Sequence, residues 1–448
     1  MSVHIVTSQI EHARYESRAQ YRIDIEECAL QEGTRTSVKS TLYDLADDVL
    51  IYTIAFLSVP DILRLRQTCK RFSTLTRLHI VWTNAFKLDV LSNDYPYSLD
   101  DTDLEHRTRH AYRLASRWLA GSPLTPKSET TFTGSPVSEI KFVPGRQHKW
   151  VLTVSKGIWS VLTIWDITRQ QKCSDWSPKG AIFTGVKLNV DPESEAGVVV
   201  SLSQRIVLLR LDDDGTLHKI RSVETNLRPV NITGDVIALS NDVSKMVIYN
   251  WKTDERAYLD DVDDAQHDHC LQVVFTPPTI LVVRARSITV DTAPPHPTRI
   301  ATHSFGWVDG ASATPTSILI RSQSDNPWAS ELNSLKLYSL SSLPPTLVSK
   351  ISSRRGALRC TDIILGKRGT AVWIRPHDRA MVSHWEEHDG CETLIAAVFP
   401  GPLNPTTEVR IREVCMNTQN NWIAFDYDED LGRIALGSSF GKITIAQM

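Results

Sequence analysis

Three short stretches of this 448-residue chain gather side chains that could do chemistry. Gly437-Ser438-Ser439-Phe440-Gly441 has the spacing of a hydrolase nucleophile elbow. That chemistry needs a helix after the serine and a histidine later in the chain to take its proton. Here a β-like run comes next, and the last histidine is His388, so a tight turn is expected. Gly437 and Gly441-Lys442 also fall one residue short of a phosphate loop and lack its helix. His267-Asp268-His269-Cys270, preceded by Asp260, Asp261, Asp263 and Asp264, could offer imidazole, thiolate and carboxylate to a metal. These ligands are bunched in one connection with no second spaced pair, so a solvated acidic loop that could attract a basic partner is expected. His384-Trp385-Glu386-Glu387-His388 sets two histidines four apart, but the metalloprotease pattern requires glutamate directly after the first. Trp385 occupies that place, and the segment reads as a strand end. Asn231-Ile232-Thr233 is a glycosylation sequon, of use only in a secreted protein. No acid, base and nucleophile set emerges, and neither a metal nor a cofactor is expected.

The bulk properties narrow the classes further. The net charge is −3, with 41% hydrophobic and 23% charged residues, as in ordinary globular proteins. That balance predicts neither nucleic acid nor membrane as the principal partner. Cys28, Cys69, Cys173, Cys270, Cys360, Cys391 and Cys415 are scattered, odd in number and without a CxxC pair. Reduced intracellular thiols look like this, whereas disulfide frameworks and zinc cages do not. The N-terminus lacks an apolar core of signal-peptide length, and no apolar run approaches the ~18 residues that span a bilayer. A soluble protein of the cytoplasm or nucleus is expected. At this length, two domains or one large repeat assembly are expected.

One stretch organises the N-terminal part: Leu45 to Leu78, LADDVLIYTIAFLSVPDILRLRQTCKRFSTLTRL. Asp47 and Asp48 stand where a helix favours carboxylates. Val49, Leu50, Ile54 and Leu57 follow at helical spacing, with Phe56 adding bulk. Val59-Pro60-Asp61 ends that helix, because the residue before proline leaves the helical region while proline suits a new first turn. Ile62, Leu65 and Cys69 continue a second stripe, and Phe72, Leu75 and Leu78 a third. Three helices of roughly ten residues cannot cover that much apolar surface by themselves. An unpartnered apolar face of this size marks a partner site.

The acidic first helix, the apolar-Pro-Asp turn and the run Leu63-Arg64-Leu65-Arg66 to Cys69-Lys70-Arg71-Phe72 resemble an F-box. Many F-boxes open Leu-Pro, whereas this chain has Leu45-Ala46, a looser entry turn. The resemblance implies that the segment docks on the small adaptor of a cullin-RING (SCF) ubiquitin ligase, and through it on the cullin. Carried over by position, the adaptor-facing set is Leu45, Val49, Leu50, Ile54, Leu57, Pro60, Ile62, Leu65, Cys69 and Phe72. The basic residues between these apolar ones are expected to face water.

Residues 1–40 read as a poorly ordered lead-in, 41–86 as the F-box, and 87–128 as a linker. His79 to Phe86 predicts a further helix with Val81, Trp82 and Phe86 inward, and 87–101 a loop. The clearest helix spans about 103–120, with Asp103 at its start, Gly121 past its end, and Leu104, Ala111, Leu114, Ala115, Trp118 and Leu119 on its buried stripe. It is expected to brace the F-box against the C-terminal domain.

From residue 129 to 448 the period changes to short β-branched runs separated by turn residues. Similar runs begin at 161, 205, 245, 287, 335, 380 and 442, most of them about 40 to 48 residues apart, the length of one four-stranded blade. The last gap calls for an insertion near Pro400 to Arg412. Trp165-Asp166 is a literal WD dipeptide, and the array resembles WD-repeat propellers, with about seven degenerate blades. A ring must close or leave a sheet edge bare, and Thr130 to Thr133 could supply the closing outer strand. The expected fold is therefore multidomain, α plus all-β: a helical F-box and linker helix followed by a β-propeller.

Two function classes stay open. In one, the chain is a non-catalytic substrate receptor of an SCF-type ligase, with the F-box on the adaptor and the propeller on an unknown target protein. In the other, it is a propeller scaffold for protein interactions outside any ligase. Arg284, Arg286, Arg354, Arg355, Arg375 and Arg379 would favour an acidic or phosphorylated ligand if they converged on the propeller's top face.

Overall fold

The computed structural model describes residues 44–97, 103–145, 149–259, 268–322, 333–353, 360, 362–375 and 391–448. The lead-in at 1–40, the acidic residues 260–264 with His267, the histidines of 384–388, and Arg354, Arg355 and Arg379 lie outside the described residues. The chain divides into two compact units, Met1–Phe56 and Leu57–Met448.

In the first unit, α1 is Asp47–Ile54. Ala46 precedes it in extended conformation and offers no side-chain cap, so Asp47 and Asp48 in the first turn are left to complement the helix dipole. Leu50 and Ile54 are buried.

The second unit begins with α2 (Val59–Arg66), α3 (Lys70–Leu75) and α4 (His79–Ala85). Pro60 lies in the first turn of α2, and the Val59 amide donates to Asp89 Oδ2 at 3.0 Å. Burial raises the Asp89 carboxyl above its ordinary pKa. The Cys69 thiol caps α3 by accepting from the Phe72 amide. After α4 the chain does not enter a loop at 87 as expected. It continues as a π-helical turn, Phe86–Leu91. Nothing in that run breaks a helix, and the turn buries Val90.

The linker helix α5 spans Leu104–Leu119 and buries Thr108, Ala111, Leu114, Ala115 and Trp118, while Leu104 and Leu119 are half-buried. Its apolar stripe packs into the propeller. Leu114, Ala115 and Trp118 share one core with Val372, Ile374, Leu394, Phe425, Tyr427, Leu436 and Met448. Trp118 meets Tyr427 edge-on, at 5.9 Å between ring centroids. The C-terminal carbonyls of α5 are capped from the outer strand Arg410–Asn417. Arg412 Nη1 donates to the Arg117 carbonyl at 2.8 Å, and Arg410 to the Leu119 carbonyl. Guanidinium groups suit the negative end of a helix.

Seven four-stranded antiparallel sheets make the propeller. Blades 1 to 6 each use four consecutive strands, beginning at residues 137, 185, 228, 270, 308 and 363. Blade 7 takes three strands from the C-terminus, and Ser128–Thr133 pairs with Lys442–Gln447 to complete it. The expected closing strand is therefore in place, with Phe132 buried opposite Ile443. Such closure leaves no long bare edge. Six of the seven similar runs are third strands of their blades. The run at 380 lies outside the described residues, and the third strand of blade 6 is Glu392–Val398.

Candidate functional site

The F-box surface is built from exposed apolar side chains. In the first unit Leu45, Val49, Tyr52 and Phe56 recur at intervals of four, three and four, and all are exposed, Tyr52 and Phe56 by 65% and 64%. Tyr52 and Phe56 pack edge-to-face with centroids 5.2 Å apart. In the second unit Leu57, Pro60, Leu65 and Cys69 are half-buried, while Ile62 and Phe72 are fully buried. The ten sequence-derived residues thus divide into an accessible six (Leu45, Val49, Leu57, Pro60, Leu65, Cys69) and a buried four (Leu50, Ile54, Ile62, Phe72). Tyr52 and Phe56 were not among the ten. Their spacing from Val49 along one helical face is the signal that finds them.

In the second unit, Arg66 at the end of α2 holds the neighbouring elements together. Its guanidinium donates to both carboxylate oxygens of Glu105 at 2.7 and 2.9 Å, and to the Thr76 carbonyl at 2.7 Å. It also lies 5.5 Å from the centre of the Trp82 ring. Burial opposes the charge on Glu105, but Arg66 and Arg109 outweigh it and hold the carboxyl below the ordinary range. A second tie runs from the propeller. Arg368 bonds Asp430, lies 3.5 Å from Asp94, and sits over the Tyr97 ring at 5.1 Å.

The propeller's central channel opens on the face made by the second-to-third-strand turns and the inter-blade connections. Its mouth is a cavity of about 850 Å³ lined by innermost strands, among them Glu139, Lys141, Lys187, His269 and Asp362. Lys141 Nζ donates to Asp426 at 3.1 Å. Burial disfavours the Lys141 ammonium, but Asp426 and Asp362 more than offset this and raise its pKa. Lys187 differs: burial first, and Lys141 second, lower its pKa. Neither lysine was singled out from sequence. The signal is the alternation along an innermost strand, where every second side chain faces the lumen.

The remaining constellations have structural roles. Ser438 ends a strand and its hydroxyl accepts from the Lys442 amide at 2.9 Å, so 437–441 is a hairpin turn. Asp268 accepts from the Arg286 amide at 2.7 Å and from the Ser287 hydroxyl, pinning a turn in blade 4. Burial pushes the Cys270 thiol up to about 12, far from a metal-binding thiolate. Among the described residues no cluster of three His, Cys, Asp or Glu is placed to hold a metal ion. Asp166 of the WD dipeptide caps the next turn through the Thr168 and Arg169 amides. The described arginines do not pool: Arg284 is buried against the Ser244 carbonyl, Arg286 stacks on Trp307 at 3.8 Å, and Arg375 pairs with Glu413. No described helix is long and apolar enough to cross a membrane.

Comparison with known proteins agrees with this geometry. The F-box domain matches residues 42–84. Among solved structures, the chain is similar to the β-propeller domain of Cps50 (Swd1) from Myceliophteria thermophila, with TM-score 0.51 and 12% identity, covering 71% of this chain and 98% of that one. It is similar as well to the WD40 repeats of RRP9, with TM-score 0.51 and 9% identity, covering 73% and 99%, and to U3-55K, with TM-score 0.51 and 8% identity, covering 73% and 100%. At such identities the likeness is one of fold. No curated protein sequence matches the chain. The molecule is a seven-bladed propeller of WD40 type preceded by helices. Those helices include residues 42–84, which match the F-box domain.

Proposed function

We propose that this chain is the substrate-recognition subunit of an SCF-type ubiquitin ligase in the cytoplasm or nucleus. It catalyses no step itself. The F-box engages the small adaptor, the propeller engages a target protein, and the target's lysines are thereby concentrated near the charged conjugating enzyme. The observation that carries this reading is the set Leu45, Val49, Tyr52 and Phe56, apolar and exposed on and beside the first F-box helix. Water-exposed apolar faces of this kind are covered by partners. Buried Leu50 and Ile54 belong to the helix that carries this stripe, and in the second unit Leu57, Pro60, Leu65 and Cys69 stay accessible above buried Ile62 and Phe72. Within the second unit, the Arg66–Glu105 bonds and the buried stripe of α5 hold the F-box segment from Leu57 onward on the propeller.

Co-expression with the adaptor tests this. The tagged full chain should retain the adaptor through purification, and Tyr52→Asp with Phe56→Asp should lose it while melting at the same temperature. Equal recovery with the double variant would refute the proposal. Exposed positions are chosen because Asp at buried Leu50 or Ile54 would unfold the helix rather than test the contact.

A further inference from the structure

One face of α5 carries a row of cations. His106, His110, Arg113 and Arg117 recur at intervals of four, three and four, which sets them one above another along the helix. The two imidazoles are stacked, with 6.5 Å between centroids. Lys127 joins the row from the chain that leads into the closing strand, and its amide is tied to the Gln447 carbonyl at 2.7 Å. The Arg117 guanidinium donates to the Thr125 carbonyl in that same segment. His106, Arg113 and Lys127 are exposed, and His110 and Arg117 are half-buried.

None of these five side chains has a carboxylate partner among the described residues. The helix has one acid, Glu105, and it is taken by Arg66 and Arg109. Burial first, then Lys127, His106 and Arg433, hold the His110 imidazole below its ordinary pKa. Burial, then Arg117 and Arg113, do the same to the Lys127 ammonium, and no acid offsets either effect. Glu129, two residues past Lys127, bears on Cys415 of blade 6 instead. Arg117 Nη1 and His110 Nε2 are buried with no hydrogen-bond partner among the described residues. Orphaned donors of this kind call for a missing acceptor. The helix dipole does not account for the row. It favours cations in the last turn only, the end carbonyls are already capped by Arg410 and Arg412, and Lys127 is off the helix.

Like charges gathered at this density repel unless an anion joins them. A carboxylate brings one negative charge against Arg113, Arg117 and Lys127. A phosphate monoester brings about two, with three acceptor oxygens that suit the arginine fork. A long polyanion or an anionic membrane would need a wider positive field. Here exposed Asp103 and Glu129 bound the row, and the chain as a whole carries −3.

We propose that Arg113, Arg117 and Lys127, with His110 beside them, form a binding site for a doubly charged phosphoryl group, borne by a phosphorylated protein side chain or by a small free phosphate. The site is separate from the apolar F-box set and from the propeller channel, and it does not depend on the ligase reading.

The test is calorimetric titration of the full-length chain with pyrophosphate, with a phosphoserine peptide of neutral flanks, and with the same peptide carrying glutamate instead. At least one phosphorylated probe should bind saturably, about tenfold or more tighter than the glutamate peptide. Binding of the peptide alone assigns the phosphoryl group to a protein, and binding of pyrophosphate alone to a small phosphate. Arg113→Gln with Lys127→Gln should weaken the bound probe about tenfold. Because the cations lack partners, this double variant without ligand should melt no lower than wild type. Failure of both phosphorylated probes, equal binding of the glutamate peptide, or full binding by the double variant would overturn the proposal. So would a lower melting point of the double variant, which would mean that the cations already have partners within the chain. Tighter binding of a single-stranded RNA oligonucleotide than of either phosphorylated probe would overturn it as well.

Discussion

Arg66 and Glu105 are 39 residues apart in sequence, yet they meet through two parallel N–H···O bonds of 2.7 and 2.9 Å. The first belongs to the second F-box helix and the second to the linker helix, so this fork is where the F-box segment from Leu57 onward is fastened to the propeller's brace. Both side chains are largely shielded from water. Bidentate pairs in that setting are directional as well as strong.

Removing one partner leaves the other charge shielded and unmatched, so Glu105→Gln should destabilise the protein by about 2–3 kcal/mol. The pH dependence is set by the sign of the shift. The native Glu105 carboxyl lies below its ordinary value of 4.5, so between the two values the unfolded chain binds more protons and stability rises with pH. The contribution is complete above the ordinary value and is lost as pH falls through the depressed native one. Urea unfolding of wild type and Glu105→Gln across pH 3 to 7 should give curves that separate at neutral pH and converge in acid; parallel curves would contradict it.

Trp118→Ala tests the wedge formed by the linker helix. The side chain is fully buried between blades 6 and 7, against Tyr427. Truncation should cost about 3–5 kcal/mol, read as a lower urea midpoint. If the helix merely rested on the surface, the midpoint would barely move.

Ring closure depends on Ser128–Thr133, the only strand of blade 7 that precedes blade 1. Phe132→Asp places a charge in the core shared with Ile140, Val151 and Ile443. The seam should open, exposing the edge of Lys442–Gln447, and light scattering should register concentration-dependent association. A monodisperse variant with native stability would rule out this closure as a stabilising element.

Much of this architecture could be read in the residues. The third strands of the blades stand out because Ile, Val and Leu alternate there between two buried faces, and Thr130 to Thr133 was findable from the closure requirement alone. In blade 6 the third strand begins at Glu392, a buried run whose first residue is charged and which spacing alone does not mark. In the F-box, apolar residues fall on more than one face of α1. Spacing therefore predicts the helix without distinguishing buried Leu50 and Ile54 from exposed Val49. Lys141 and Lys187 escaped notice because a lumen-facing lysine and a solvent-facing one have the same period along a strand. The π-helical turn at Phe86–Leu91 reads as the approach to a loop because Asn93-Asp94 comes after it.

The central claim is tested most directly by calorimetric titration of the purified adaptor into the full chain. A saturable one-to-one isotherm is predicted for wild type. The triple change Val49→Asp, Tyr52→Asp and Phe56→Asp should lower affinity by about a hundredfold or more, close to 2.7 kcal/mol, with melting unaltered. An unchanged isotherm in the triple variant, or no binding by wild type, would contradict the account.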